Sequence, residues 1–211
     1  MRLAWLAWLV DLSRLSKRRP DRPVEGVPIF ILYALVIGLA VGLLLGGRPS
    51  GLSDLRFRWS WVFLSGLMVQ VILFSDAVTE RVGALGAPIY VASTGLVLAA
   101  VLANRAIPGM LVVALGAASN LAAIIANGGY MPASISAMEA LGKVEKTVYS
   151  NSSVVPQPAL APLTDVFALP SWLPWANIFS IGDVLIGIGV VLVIAVAMRR
   201  ARPAQPLPVA S

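Results

Sequence analysis

Apolar residues run through this chain in blocks of helix length, and polar residues gather between the blocks. Five of them, at 28–46, 59–75, 87–103, 107–126 and 178–198, lie near the roughly 17–25 residues needed to cross the hydrocarbon of a bilayer. The pattern predicts an all-α integral membrane protein with about five transmembrane helices. Only Asn104-Arg105-Ala106 separates the third block from the fourth, so these two are expected to form a tight antiparallel hairpin. Ser93, Thr94, Ser119 and Asn120 could face one another inside it. Trp59 and Trp61 open the second block as aromatic anchors, and Gln70 within it is expected to bond across to another helix.

Two stretches do not fit the spanning pattern. In residues 1–26, Trp5, Trp8, Leu9, Leu12 and Leu15 share one helical face, and Arg14, Lys17, Arg18 and Arg19 supply charge. That reads as a basic helix lying in the membrane interface. A signal peptide is the rival, although its charge should precede the apolar part, and a later translation start is a third option. The connection 127–177 is the one long extramembrane piece. Ser136-Ala137-Met138-Glu139 reads there as a capping box that begins a short helix toward Lys146. Pro156, Pro158, Pro162, Pro170 and Pro174 forbid a long helix beyond it. With Leu163 to Leu169, Trp172, Leu173 and Trp175 apolar enough for the interface, this stretch is expected to fold back as a lid over one face of the bundle. Residues 27–200 then make a single membrane domain, and 201–211 a disordered tail.

Composition agrees with this class: 58% of residues are hydrophobic and 12% charged, against roughly 25% charged in soluble domains. The net charge of +6 does not point to nucleic acid, because the basic residues flank apolar blocks, where anionic headgroups account for them. The chain has no cysteine and no histidine. This excludes disulfides, thiolate nucleophiles, Cys/His zinc sites, His-ligated haem and imidazole-dependent triads. No cofactor or metal is expected, and an enzyme is the less favoured class, since catalysis would rest on carboxylates, Lys, Ser or Tyr.

With five spans the basic residues divide nine to seven between the two sides; without residues 1–26 they divide three to seven. The second division puts Arg48, Arg56, Arg58 and the C-terminus in the cytoplasm, and the 127–177 lid outside.

The remaining polar and glycine positions are the candidate chemistry. Gly38, Gly42 and Gly46 recur every four residues, which suits close helix packing or homodimerisation. Ser180-Ile181-Gly182-Asp183 reads as a capping box opening the last helix, or as a helix start that offers a carboxylate to a cation or a polar headgroup. Asn120 lies about two turns inside the fourth span, as an interhelical hydrogen-bonding group or a ligand group. Asn127-Gly128-Gly129, followed by Tyr130-Met131-Pro132, reads as a helix C-cap and turn, with an anion-binding nest as the alternative. Solvation at the surface accounts for Asp165, unless it pairs with Asp183 for acid–base work or a divalent cation.

The glycine-rich first span, the basic link Leu52 to Trp61, Asn127-Gly128-Gly129-Tyr130-Met131-Pro132, Thr164-Asp165 and Ser180-Ile181-Gly182-Asp183 come in an order that resembles domain-of-unknown-function family 5317. The likeness extends from about Val27 to Arg200. It implies a small bacterial polytopic membrane protein of about five helices and carries no activity. The resulting expectation is a multi-pass protein of the bacterial cytoplasmic membrane, with the lipid bilayer and a homodimer or larger membrane complex as partners. It would bind or transport a lipid headgroup, a small polar solute or a cation in a crevice under the lid, built from Asn120, Asn127, Gly128, Gly129, Asp165, Ser180 and Asp183. An accessory or scaffold subunit that docks through the Gly38/Gly42/Gly46 face or the lid is the alternative. A membrane enzyme acting on a lipid is the third.

Overall fold

A computed structural model describes residues 29–141, 152–154, 157–174 and 176–200. The expected N-terminal interfacial helix and C-terminal tail lie outside the described residues. The elements that follow the apolar blocks are α1 (Ile29–Leu44), α2 (Ser60–Leu73), α4 (Gly86–Ala103), α5 (Met110–Ala126) and α7 (Ile181–Arg199). Each begins and ends within a few residues of its block. The region between α2 and α4 is helical too, as α3 (Asp76–Val82) and a single 3-10 turn at 83–85.

Two helices, Ala77–Ala103 and Ile181–Arg199, are long and apolar enough to cross a membrane. The other three are shorter: α1 has 16 residues, α2 14 and α5 17. At 1.5 Å per residue they measure about 21–26 Å. Five full-length spans are therefore not shown; two are long enough by length and composition. Trp59, in the left-handed conformation at φ 58°, starts α2 late, and the turn at Phe74–Ser75 ends it early.

The helices pack in the order α1–α7–α5–α4–α2, with α1 and α2 at the two ends of the row. The pairs α5/α7, α4/α5 and α2/α4 are antiparallel, whereas α1 runs parallel to α7. Along that parallel seam Phe30 meets Gly187, Gly38 meets Ile194, and Gly42 meets Met198. These glycines are turned inward onto α7, so this face is not free for a second copy. Gly46 does not belong to it. It lies beyond the end of α1 at φ 76° with nothing within 4 Å of an added Cβ.

The closest approach is between α5 and α7. Cβ atoms added at Gly109 and Gly116 on one helix would overlap the backbone of Gly189 and Gly182 on the other, and the reverse also holds. Glycines seven residues apart on both helices let the two backbones nearly touch. Val101, Met110, Val113, Ala114 and Val193 form the buried centre beside this contact.

The connection after α5 forms two small two-stranded pairings at one end of the row. Strand β1 (Met131–Ala133) pairs in parallel with β2 (Ser152–Val154), and β3 (Phe167–Ala168) pairs antiparallel with β4 (Ile178–Phe179). The aromatic rings of Phe30 and Phe179 stack at 4.9 Å, and those of Phe167 and Phe179 at 5.4 Å. Tyr33 donates its hydroxyl to the Pro174 carbonyl at 2.6 Å. These contacts hold 167–179 against the start of α1. The short helix α6 (Ile135–Ala140) is capped by Ser134, whose side chain accepts from the Ala137 amide, and not by Ser136. The Ser134 amide bonds to the Asp165 carbonyl at 2.9 Å, which keeps residue 134 extended and sets the cap two positions earlier.

Candidate functional site

Ser180 is extended (φ −102°, ψ 170°) and Ile181 onward is helical, so the amides of the first turn of α7 need acceptors. The Ser180 Oγ accepts from the Asp183 amide at 3.1 Å, and Asp183 Oδ2 accepts from the Ser180 amide at 2.9 Å. This is the reciprocal capping box expected from the residue types. The structure extends it across to α5. Asn120 Nδ2 donates to Asp183 Oδ1 at 2.9 Å. The Ser180 hydroxyl lies 2.8 Å from Asn120 Oδ1 and 2.9 Å from Asp183 Oδ2, and its single proton serves one of them at a time. Gly182 makes this geometry possible, because a side chain there would overlap Asn120 Oδ1 and the Gly116 carbonyl.

Ser180 is 0% exposed, while Asn120 and Asp183 are half-buried. Both carboxylate oxygens of Asp183 are engaged, and their partners among the described residues, Asn120 and Ser180, are neutral. The positive end of the α7 dipole favours an anion at this point. The hairpin partnership expected for Asn120 is not formed. Thr94 instead accepts from Gln70 of α2 at 3.3 Å, Ser93 donates to its own helix, and the buried Ser119 Oγ has no hydrogen-bond partner.

The other expected site residues serve the end of α5. The Gly128 amide donates to the Ile125 carbonyl at 3.2 Å and the Gly129 amide to the Ile124 carbonyl at 2.8 Å, with φ at 73° and 93°. This double bond pattern is the Schellman termination, which needs left-handed residues and so glycine. Both amides point back into the helix, so the anion-nest reading is overturned. The Asn127 side chain donates to the Ala123 carbonyl at 2.8 Å and to the Ala159 carbonyl at 2.9 Å, and it accepts from the Ala159 amide at 2.8 Å. It clamps the 157–163 segment onto the helix end. Asp165 is only 7% exposed, contrary to the expectation of a solvated acid. Its backbone bridges to β1 through the Pro132 carbonyl and the Ser134 amide. Among the described residues no group of three or more acids is placed to hold a metal ion. The seven-residue crevice thus resolves into one polar cluster, Asn120–Ser180–Asp183, and a separate set of backbone clamps.

Asn104 was missed as anything but a linker residue. It is 6% exposed and makes the same clamp as Asn127: it donates to the Ala100 carbonyl at 2.7 Å and to the Arg58 carbonyl at 2.8 Å, and accepts from the Arg58 amide at 2.7 Å. In both clamps the residue after the one gripped has positive φ, Trp59 at 58° and Leu160 at 53°. The sequence signal was an Ala-Asn pair closing each apolar block. A side chain that binds both backbone groups of a distant residue mimics a strand partner and fixes the entry into the next helical turn.

A model of the family of unknown function DUF5317 matches residues 54–195. The chain belongs to this family. The match takes in both asparagine clamps and the Asn120–Ser180–Asp183 cluster, and it begins after α1. No curated protein and no solved structure matches this DUF5317 member.

Proposed function

We propose that this DUF5317 member is a multi-pass membrane protein that binds a cation, or a small polar solute or lipid headgroup carrying one, at Asn120–Ser180–Asp183. Membrane residence is supported by the large apolar side chains that α1 (Val36, Leu44), α2 (Leu64, Met68) and α5 (Leu111, Leu115) turn outward. A soluble monomer rarely exposes apolar surface on this scale. The shorter helices are accommodated by local bilayer thinning, and the described parts of the 127–177 connection act as the lid over one end of the row. The lid faces the exterior and the C-terminus the cytoplasm.

The observation that carries the binding role is Asp183. A carboxylate among apolar helices is costly unless its charge is matched, and here its protein partners are neutral. A bound cation completes the match. The accessory-subunit reading loses its best surface, because Gly38 and Gly42 already pack on α7.

Two measurements test the proposal. The chain has no native thiol, so Ala106→Cys in the α4–α5 turn and Trp172→Cys in the lid each report alone. The two are expected to react with an impermeant reagent from opposite sides of the membrane; reaction of both from one side would end the topology. For the site, the purified chain is titrated calorimetrically with sodium, magnesium and ethanolamine. Asp183→Asn should keep the fold and lose the binding heat, whereas Asp183→Ala should also lose about 1–2 kcal/mol of stability with the cap. Equal loss of folding in both variants would make the cluster a structural joint only.

A further inference from the structure

The end of the row opposite the lid carries an unusual charge arrangement. The Arg48 amide donates to the Met198 carbonyl at 2.8 Å, which sets Arg48 beside Arg199 and Arg200. The Asn104 clamp holds the backbone of Arg58 next to Arg105. Leu55 packs on the Val101–Met110–Val193 centre and keeps Arg56 at the same end. All six arginines are exposed, and none has an ion-pair or hydrogen-bond partner for its guanidinium among the described residues. Asp54 is the one carboxylate described at this end, whereas the lid end carries Glu80, Glu139, Asp165 and Asp183.

Residues far apart in sequence have thus been drawn into two like-charged groups, Arg48 with Arg199/Arg200, fixed by a backbone hydrogen bond, and Arg58 with Arg105, fixed by the Asn104 side chain. Gathering like charges without a counter-charge is unfavourable, so the arrangement calls for anions from outside the chain. Exposed Phe57, Trp59 and Trp61 lie in the same segment, and Leu43 and Leu44 are exposed at the end of α1. Amphipathic rings beside guanidiniums, bordering outward apolar surface, match the level of a membrane where headgroups meet acyl chains.

We infer that this arginine-rich end is a docking surface for anionic phospholipid headgroups, with one phosphate held at each arginine group. Guanidinium forks fit phosphate oxygens in pairs, which a diffuse basic tail does not. The inference rests on the membrane reading. It is independent of the Asp183 site, which lies at the other end of α7.

The test is native mass spectrometry of the full chain released from vesicles of phosphatidylcholine and phosphatidylglycerol in equal amounts. The chain is expected to retain phosphatidylglycerol about tenfold over phosphatidylcholine, with each of the two arginine groups supplying roughly threefold of that preference. Arg48→Gln/Arg199→Gln and Arg58→Gln/Arg105→Gln should each lower the preference several-fold, and all four together should bring it close to parity. Because a four-fold variant can fail to fold, the unmodified chain is also measured as salt is raised until the Debye length falls from about 30 Å to about 3 Å; the preference should fade. Equal retention of both lipids, a preference indifferent to salt, or an unchanged preference in a folded four-fold variant would overturn the inference. Displacement of the lipid by inorganic phosphate would also overturn it, in favour of a free-anion site. Carbonate washing of the same vesicles separates the two readings: a chain released by carbonate fails the membrane reading, and a chain that stays embedded without lipid preference fails only this one.

Discussion

Asn104→Ala is expected to lower the unfolding free energy by about 3 kcal/mol, one of the largest single-residue effects in the chain. The substitution removes three hydrogen bonds of 2.7–2.8 Å from a side chain that is 6% exposed. The lost bonds are only part of the cost. The buried Ala100 carbonyl and the part-buried Arg58 amide and carbonyl lose their partner, and a buried polar group that loses its partner costs roughly 1–3 kcal/mol. The left-handed Trp59, unfavourable by about 1–2 kcal/mol on its own, then has nothing to hold it, and the entry to α2 relaxes. Asn104→Asp should do as badly, since it keeps one acceptor while setting a charge against two carbonyls. Denaturant titration of the purified chain reads the effect. A loss under about 0.5 kcal/mol would mean the clamp is incidental.

Gly182→Ala is expected to cost about 2–3 kcal/mol by overpacking. The new methyl would overlap Asn120 Oδ1, which can rotate away, and the Gly116 carbonyl, which cannot move without shifting α5. Moving Asn120 would break its 2.9 Å bond to Asp183. A double-mutant cycle separates the two parts. In an Asn120→Ala background the side-chain clash is gone, so Gly182→Ala should cost less there, with the backbone share remaining. Strict additivity of the two substitutions would deny that Gly182 serves the polar cluster.

The parts of this molecule that were legible in the sequence are those whose physics is local. Helix extents follow from runs of apolar residues, the Ser180–Asp183 box from the identities of two residues three apart, and the α5 termination from paired glycines after Asn127. Ser136 shows how a local motif misleads. Ser136 and Glu139 have the right types and spacing, but a backbone bond from Ser134 to Asp165 decides where α6 begins. The burial of Asp165, the partner of Asn120 and the grip of Asn104 on Arg58 all depend on segments brought together only in the fold. Gly109 and Gly116, and Gly182 and Gly189, share a seven-residue spacing that marks the α5–α7 contact more directly than the Gly38/Gly42/Gly46 series marks that of α1.

The parallel seam between α1 and α7 joins the first described helix to the last. During synthesis α1 is complete while roughly 140 residues must still be made before α7 begins, a wait on the order of ten seconds at ordinary elongation rates. Throughout that interval the glycine face of α1 lacks its partner, and that of α5 lacks its own from the time α5 is made. Neither helix can reach its final packing before α7 arrives and slots between them. Chains stalled or cut short before residue 181 would present two bare, close-packing surfaces, which makes them natural targets for quality control and prone to pair with the wrong helix. Packing of the described helices is therefore set by α7, and a tag or fusion placed just after it would tax folding more than one placed ahead of α1.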